Sequence, residues 1–86
     1  MSIELLICYH GTRSLDNFNN ILKIGFYPDS WWAIHRKDAI NYGGPYIFEV
    51  EFRKDYIPFR ESDWQFHHLD PIPPSRIINA YTILKG

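Results

Sequence analysis

An α+β fold with antiparallel-rich sheets and two short helices follows from three stretches of this 86-residue chain. In Tyr46–Phe52, Tyr46, Phe48, Val50 and Phe52 point one way while Ile47, Glu49 and Glu51 point the other, the period of two that a strand requires. Ile3–Tyr9 and Ile77–Leu84, near the two ends, are apolar runs rich in β-branched residues and read as further strands. Between them lie two segments with helical spacing, so strands and helices must share one core. These three strands are expected at the centre of the sheet, with the helices packed outside it.

The chain divides as follows. After Ile3–Tyr9, the sequence His10-Gly11-Thr12 reads as the point where a strand ends and the chain turns. Gly11 lacks a Cβ, so a flat ligand could approach the backbone there. Ser14 is placed to N-cap a first helix whose apolar face is Leu15, Phe18, Ile21 and Leu22, and Gly25 suits its C′ position. Pro28 keeps the Phe26–Ser30 loop from continuing the helix. Trp31–Ile34 reads as a short strand, with Trp31 and Trp32 on opposite faces. A second helix over Arg36–Tyr42 puts Ala39 and Tyr42 on one face, and Gly43-Gly44-Pro45 stops it. Ile57-Pro58 marks an edge or a break. Trp64 and Phe66 then alternate with Asp63, Gln65 and His67 as in a half-buried strand. Asp70–Pro74, with three prolines, is an extended connector to the last strand.

Composition narrows the functional classes. Residues 1–86 form a single domain, and 45% hydrophobic with 22% charged residues is a globular balance. A net charge of −1 and a pI near 6.4 argue against holding nucleic acid mainly through its phosphates, though not against nucleic acid as a substrate. No apolar run reaches membrane-spanning length, no charged-then-apolar leader pattern opens the chain, and the single cysteine fits a reducing cytoplasm. Aromatic residues reach 17%, enough rings to fill most of a small core or to line a cleft.

Three constellations could carry chemistry. Cys8 and His10 share a strand face, as a thiol–imidazole dyad would, but a lone buried cysteine is more often a small hydrophobe. Cys8, His10, His35, His67 and His68 show no zinc-ligand spacing, so no metal is expected. Glu49 and Glu51 share a face as paired carboxylates do, and a solvated outer face accounts for them better.

Several separated pieces resemble one family in the right order. Tyr9-His10-Gly11-Thr12, the helix end Leu22–Gly25, Trp31-Trp32-Ala33, Ala39 and Tyr42 in Ala-Ile-Asn-Tyr-Gly, the strand Tyr46–Phe52 and the proline-bearing Ile72–Ile77 are similar to the motifs of the ADP-ribosyltransferase fold. The nearest pattern is its His-Tyr-Glu branch, which includes poly(ADP-ribose) polymerases and many bacterial and phage relatives. The resemblance implies split, antiparallel-rich sheets and a cleft for NAD as substrate. It gives His10 the role of donating to an NAD ribose hydroxyl, and Gly11 that of holding the nicotinamide carboxamide through its backbone. Tyr42 and Trp31 become the walls on either side of the nicotinamide ring, and Thr12 bonds the amide or braces the turn. The glutamate that the family carries on a late strand has no direct match: in Glu61-Ser62-Asp63-Trp64-Gln65-Phe66, Asp63 and Gln65 are the candidates, with Glu61 third.

Two functions follow from the resemblance. One is NAD-dependent transfer of ADP-ribose to a protein or nucleic-acid acceptor, with His10, Tyr42, Asp63 and Gln65 as the catalytic set. The other is a catalytically silent module that binds a macromolecule, such as a small phage-encoded inhibitor acting on a host protein target.

Overall fold

The computed structural model describes residues 4–56 and 63–83. They form an α+β domain whose elements are β1 (Leu5–Thr12), α1 (Leu15–Ile24), β2 (Ser30–Ala33), α2 (Arg36–Tyr42), β3 (Tyr46–Arg53), β4 (Gln65–His68) and β5 (Ile77–Thr82). The five strands make one antiparallel sheet in the order β4-β2-β1-β3-β5. No helix among the described residues is long and apolar enough to cross a membrane.

β1 and β3 pair along their whole length, from Leu5↔Arg53 to Thr12↔Tyr46. This eight-pair ladder corrects the expected strand end: His10, Gly11 and Thr12 belong to β1, and the chain turns only at Arg13-Ser14. A strand continues for as long as its neighbour supplies hydrogen-bond partners, and β3 supplies them as far as Tyr46. β5 is an edge strand rather than a central one, because among the described residues β3 alone pairs with it. Two separate sheets are not formed either. The two halves are joined between β1 and β2 by the single pair Tyr9↔Ala33. Ile3, Glu61, Leu84 and the Ile57-Pro58 break lie outside the described residues.

Antiparallel partners share a face, so the register sorts the core. On one face Cys8, Trp32, Phe48, Val50, Phe52 and Phe66 are buried beneath α1 and the Phe26↔Ile72 bridge. On the other, Ile47 packs with Ala33 and with Ala39 of α2, which makes a second, smaller core. The alternation of β3 is real, but both of its faces are covered at Ile47.

α1 starts as its sequence dictates, with the Ser14 hydroxyl accepting from the Asn17 N–H at 3.1 Å. Its apolar face is only partly used: Ile21 is buried and Phe18 half-buried, whereas Leu15 and Leu22 are exposed. Gly25 ends it at φ 83°, and a Cβ there would lie 2.0 Å from the Ile72 carbonyl oxygen. Glycine is thus required twice over, by conformation and by close approach. β2 begins one residue earlier than the sequence suggests, at Ser30, whose hydroxyl accepts from the Trp32 indole at 2.8 Å.

Candidate functional site

Because β1 and β2 share one pair and then part, the sheet opens between them, and a cavity of about 190 Å³ lies there. Tyr9, His10 and Gly11 line it from β1, and Trp31, Trp32 and Ala33 from β2. α2 contributes Asp38 from its first turn, then Ala39 and Tyr42, followed by Gly43. Trp64 and Gln65, at the start of β4, complete the wall.

α2 is seated here by bare backbone. A Cβ on Gly11 would stand 2.4 Å from the Ala39 carbonyl oxygen, and one on Gly43 would stand 2.6 Å from the Gly11 oxygen. The missing Cβ of Gly11, expected to admit a ligand, instead admits the end of this helix.

The aromatic walls are ring on ring. Tyr42 is 70% exposed and stacks on Trp64 with centroids 5.0 Å apart and planes at 22°. Trp31 stacks on His67 at 4.4 Å and 12°, and His67 Nε2 meets an Asp29 carboxylate oxygen at 3.2 Å. Each wall is thus a stacked pair of rings.

His10 reaches the cavity from the opposite direction. Its ring packs against Phe26, Trp32 and Phe48 at 5.0, 5.5 and 6.3 Å, on the α1 side of the sheet, whereas Tyr42 stands on the α2 side. The two meet at one cavity only because the strands part between them. Nδ1 lies 2.7 Å from the Trp31 carbonyl oxygen, which can only accept, so Nδ1 carries the proton. Burial holds the imidazole below its ordinary value of 6.5, against the raising effect of that carbonyl, and the ring is neutral at pH 7. Nε2 is then an acceptor. The expected donation from His10 to a ribose hydroxyl is reversed: a hydroxyl here would donate to His10.

That burial has a consequence for stability. His10 and His68 are both held below 6.5 by desolvation, so in acid the unfolded chain binds more protons than the native one. Stability therefore falls as pH drops below about 6.5. The urea midpoint is expected to be lower at about pH 5.5 than at about pH 7.5, with a smaller drop in His10→Gln, which keeps a donor for Trp31. An unchanged drop in that variant would assign the acid sensitivity elsewhere.

The remaining expected site residues separate. Gln65 lines the cavity, paired through Ala33 to β2. Asp63 is exposed in the bend before β4 and is not part of the lining. Thr12 is buried away from the cavity, its hydroxyl accepting from the Ser14 N–H at 3.3 Å and the Asn17 amide at 3.1 Å, so it braces the turn. Cys8 is fully buried with its thiol 3.8 Å from the Leu6 carbonyl oxygen, inaccessible as a nucleophile. Among the described residues no three histidine, cysteine or acidic side chains gather as a metal site.

Of the larger lining side chains, Tyr9, Trp32, Asp38 and Trp64 carry no expected site role, and Trp64 stands in the sequence only as part of a half-buried strand. Asp38 was not singled out, although it stands one turn before Tyr42 and so shares its helix face. Glu49 also differs from expectation. It is half-buried and accepts from the Tyr81 hydroxyl at 2.5 Å and the Asn79 amide at 3.3 Å, while Arg36 Nε donates to the Tyr81 oxygen at 2.9 Å. Burial and, after it, the Glu49 carboxylate push the Tyr9 and Tyr81 hydroxyls up. Of the expected carboxylate pair, only Glu51 is exposed to solvent.

Comparison of the chain with protein-family models, with curated proteins and with solved structures finds no match.

Proposed function

We propose that the cleft binds the nicotinamide end of NAD and that the chain acts as a binding module rather than a transferase. The observation that carries this reading is the convergence of Gly11, Trp31 and Tyr42 on one cavity, from positions 11, 31 and 42 of the sequence, with His10 beneath. Ligand cavities for drug-sized molecules run to roughly 300–1,000 Å³. The smaller space here suits a single ring, with the rest of the dinucleotide lying outside. Of the two described candidates for the family's late-strand carboxylate, Asp63 and Gln65, only Gln65 lines the cavity, and an uncharged amide cannot offset the positive charge that develops on the ribose as nicotinamide leaves. The ADP-ribosyltransferase-like fold remains part of the same proposal, with the single-pair Tyr9↔Ala33 junction of the one sheet standing where that fold divides its sheets.

One observation favours transfer as a second reading. Asp38 brings a carboxylate to the cavity from α2, and it could serve where Gln65 cannot. A protein or nucleic-acid acceptor, or a host protein as target, belongs to that alternative or to the silent module respectively.

Calorimetric titration with NAD, run beside a nicotinamide-release assay, separates the readings. The binding module gives heat of binding without release above background. Tyr42→Ala is expected to weaken NAD by about 1–3 kcal/mol through loss of a stacking wall. Asp63→Asn, outside the cavity, is expected to leave binding unchanged. Release that Asp38→Asn abolishes would establish the transferase, and absence of NAD binding would overturn both readings.

A further inference from the structure

We infer that the cleft selects a permanent organic cation, an N-alkylated pyridinium or quaternary ammonium group, over its neutral counterpart. Five aromatic residues, Tyr9, Trp31, Trp32, Tyr42 and Trp64, line one cavity of about 190 Å³ together with Asp38. Among the described residues the Asp38 carboxylate has no hydrogen-bond or ion-pair partner, and no lysine or arginine lines the cavity. The one imidazole present, His10, is buried and has its Nδ1–H committed to the Trp31 carbonyl. Ring faces are electron-rich and attract a cation within about 6 Å, most strongly where water is excluded. A nearby carboxylate adds a Coulombic attraction that a neutral ring does not feel. A cation without N–H groups loses least on entering, since it surrenders no hydrogen bonds to water.

The inference takes the position of the ligand from the cleft described above, but it does not require a dinucleotide. The pyridinium of oxidised NAD and a quaternary ammonium on another molecule offer the same chemistry, and two probes tell them apart. Tryptophan fluorescence and NMR titrations of the whole chain with 1-methylnicotinamide, tetramethylammonium and nicotinamide supply the comparison.

At least one of the two cations is expected to bind about tenfold or more tightly than neutral nicotinamide. Asp38→Asn is expected to erase that preference, and Gln65→Glu, which adds a second carboxylate, to enlarge it. 1-Methylnicotinamide as the better cation points to a nicotinamide nucleotide. Tetramethylammonium as the better cation points to a quaternary ammonium ligand, and removes the NAD reading while sustaining this one. Nicotinamide binding as tightly as both cations overturns the inference and leaves NAD binding standing. A cation preference that survives in Asp38→Asn and does not grow in Gln65→Glu, with both variants melting as wild type, also overturns it.

Discussion

Trp32→Ala is expected to cost about 3–5 kcal/mol of folding free energy. The indole is 1% exposed and stands at the junction of the main core and the cleft. It packs against Phe26 at 4.8 Å and Phe52 at 5.0 Å, beside the His10 ring. Truncation removes these contacts and leaves a void among the buried rings that surround the indole. It also strips the Ser30 hydroxyl of its indole donor. A small domain holds only about 5–15 kcal/mol in total, so the variant sits near the limit of folding. Urea denaturation checks this directly; a loss below about 1 kcal/mol would mean that the indole is not a core residue.

Gly11→Ala is expected to destabilise by about 1–3 kcal/mol, through overpacking rather than through loss of contact. The sign is the informative part. Gly11 does not have a positive φ, and at such a position alanine ordinarily stabilises by about 0.4–1 kcal/mol because it restricts the unfolded chain. Here the new methyl would meet the Ala39 oxygen at 2.4 Å and the Gly43 backbone at 3.1 and 3.2 Å. None of these atoms can swing aside, so α2 must lift from β1 and carry Tyr42 away from the cavity. Thermal melting should fall while NAD binding weakens in step. A stabilised variant with intact binding would show that α2 is not seated on Gly11.

These two residues show what the chain disclosed and what it withheld. The period of two in Tyr46–Phe52 was visible because β3 is buried on one face along its length. Helix α2 was visible because Gly43-Gly44-Pro45 punctuates it. His10-Gly11-Thr12 read as a turn because glycine and threonine after a strand look like one. What keeps those residues in β1 is the ladder to β3, a partner 36 positions away at Gly11↔Ile47 that no local pattern reveals. The same non-local logic explains β5, an apolar strand that lies on an edge. Leu15 and Leu22 keep the helical period of α1, yet the sheet beneath offers space for Phe18 and Ile21 alone.

For the cleft, the identities of Trp31 and Tyr42 were legible as aromatic positions, and the resemblance placed them together. Their stacking partners were not, since Trp64 and His67 come from a strand whose register with β2 only the folded sheet defines. The direction of His10 was hidden for a related reason. Alternation along β1 puts its ring on the core side, and only the gap between β1 and β2 lets it meet the cavity.

The most direct test of the cleft is an NMR titration of the chain with NAD, read at the tryptophan indole signals. Trp31 and Trp64 line the cavity from its two stacked walls and are expected to shift together, saturating with one equivalent, with a smaller response from Trp32, whose N–H is held by Ser30. In Tyr42→Ala both large shifts should weaken in parallel. Indole signals that stay fixed through saturating NAD would contradict the account at its centre.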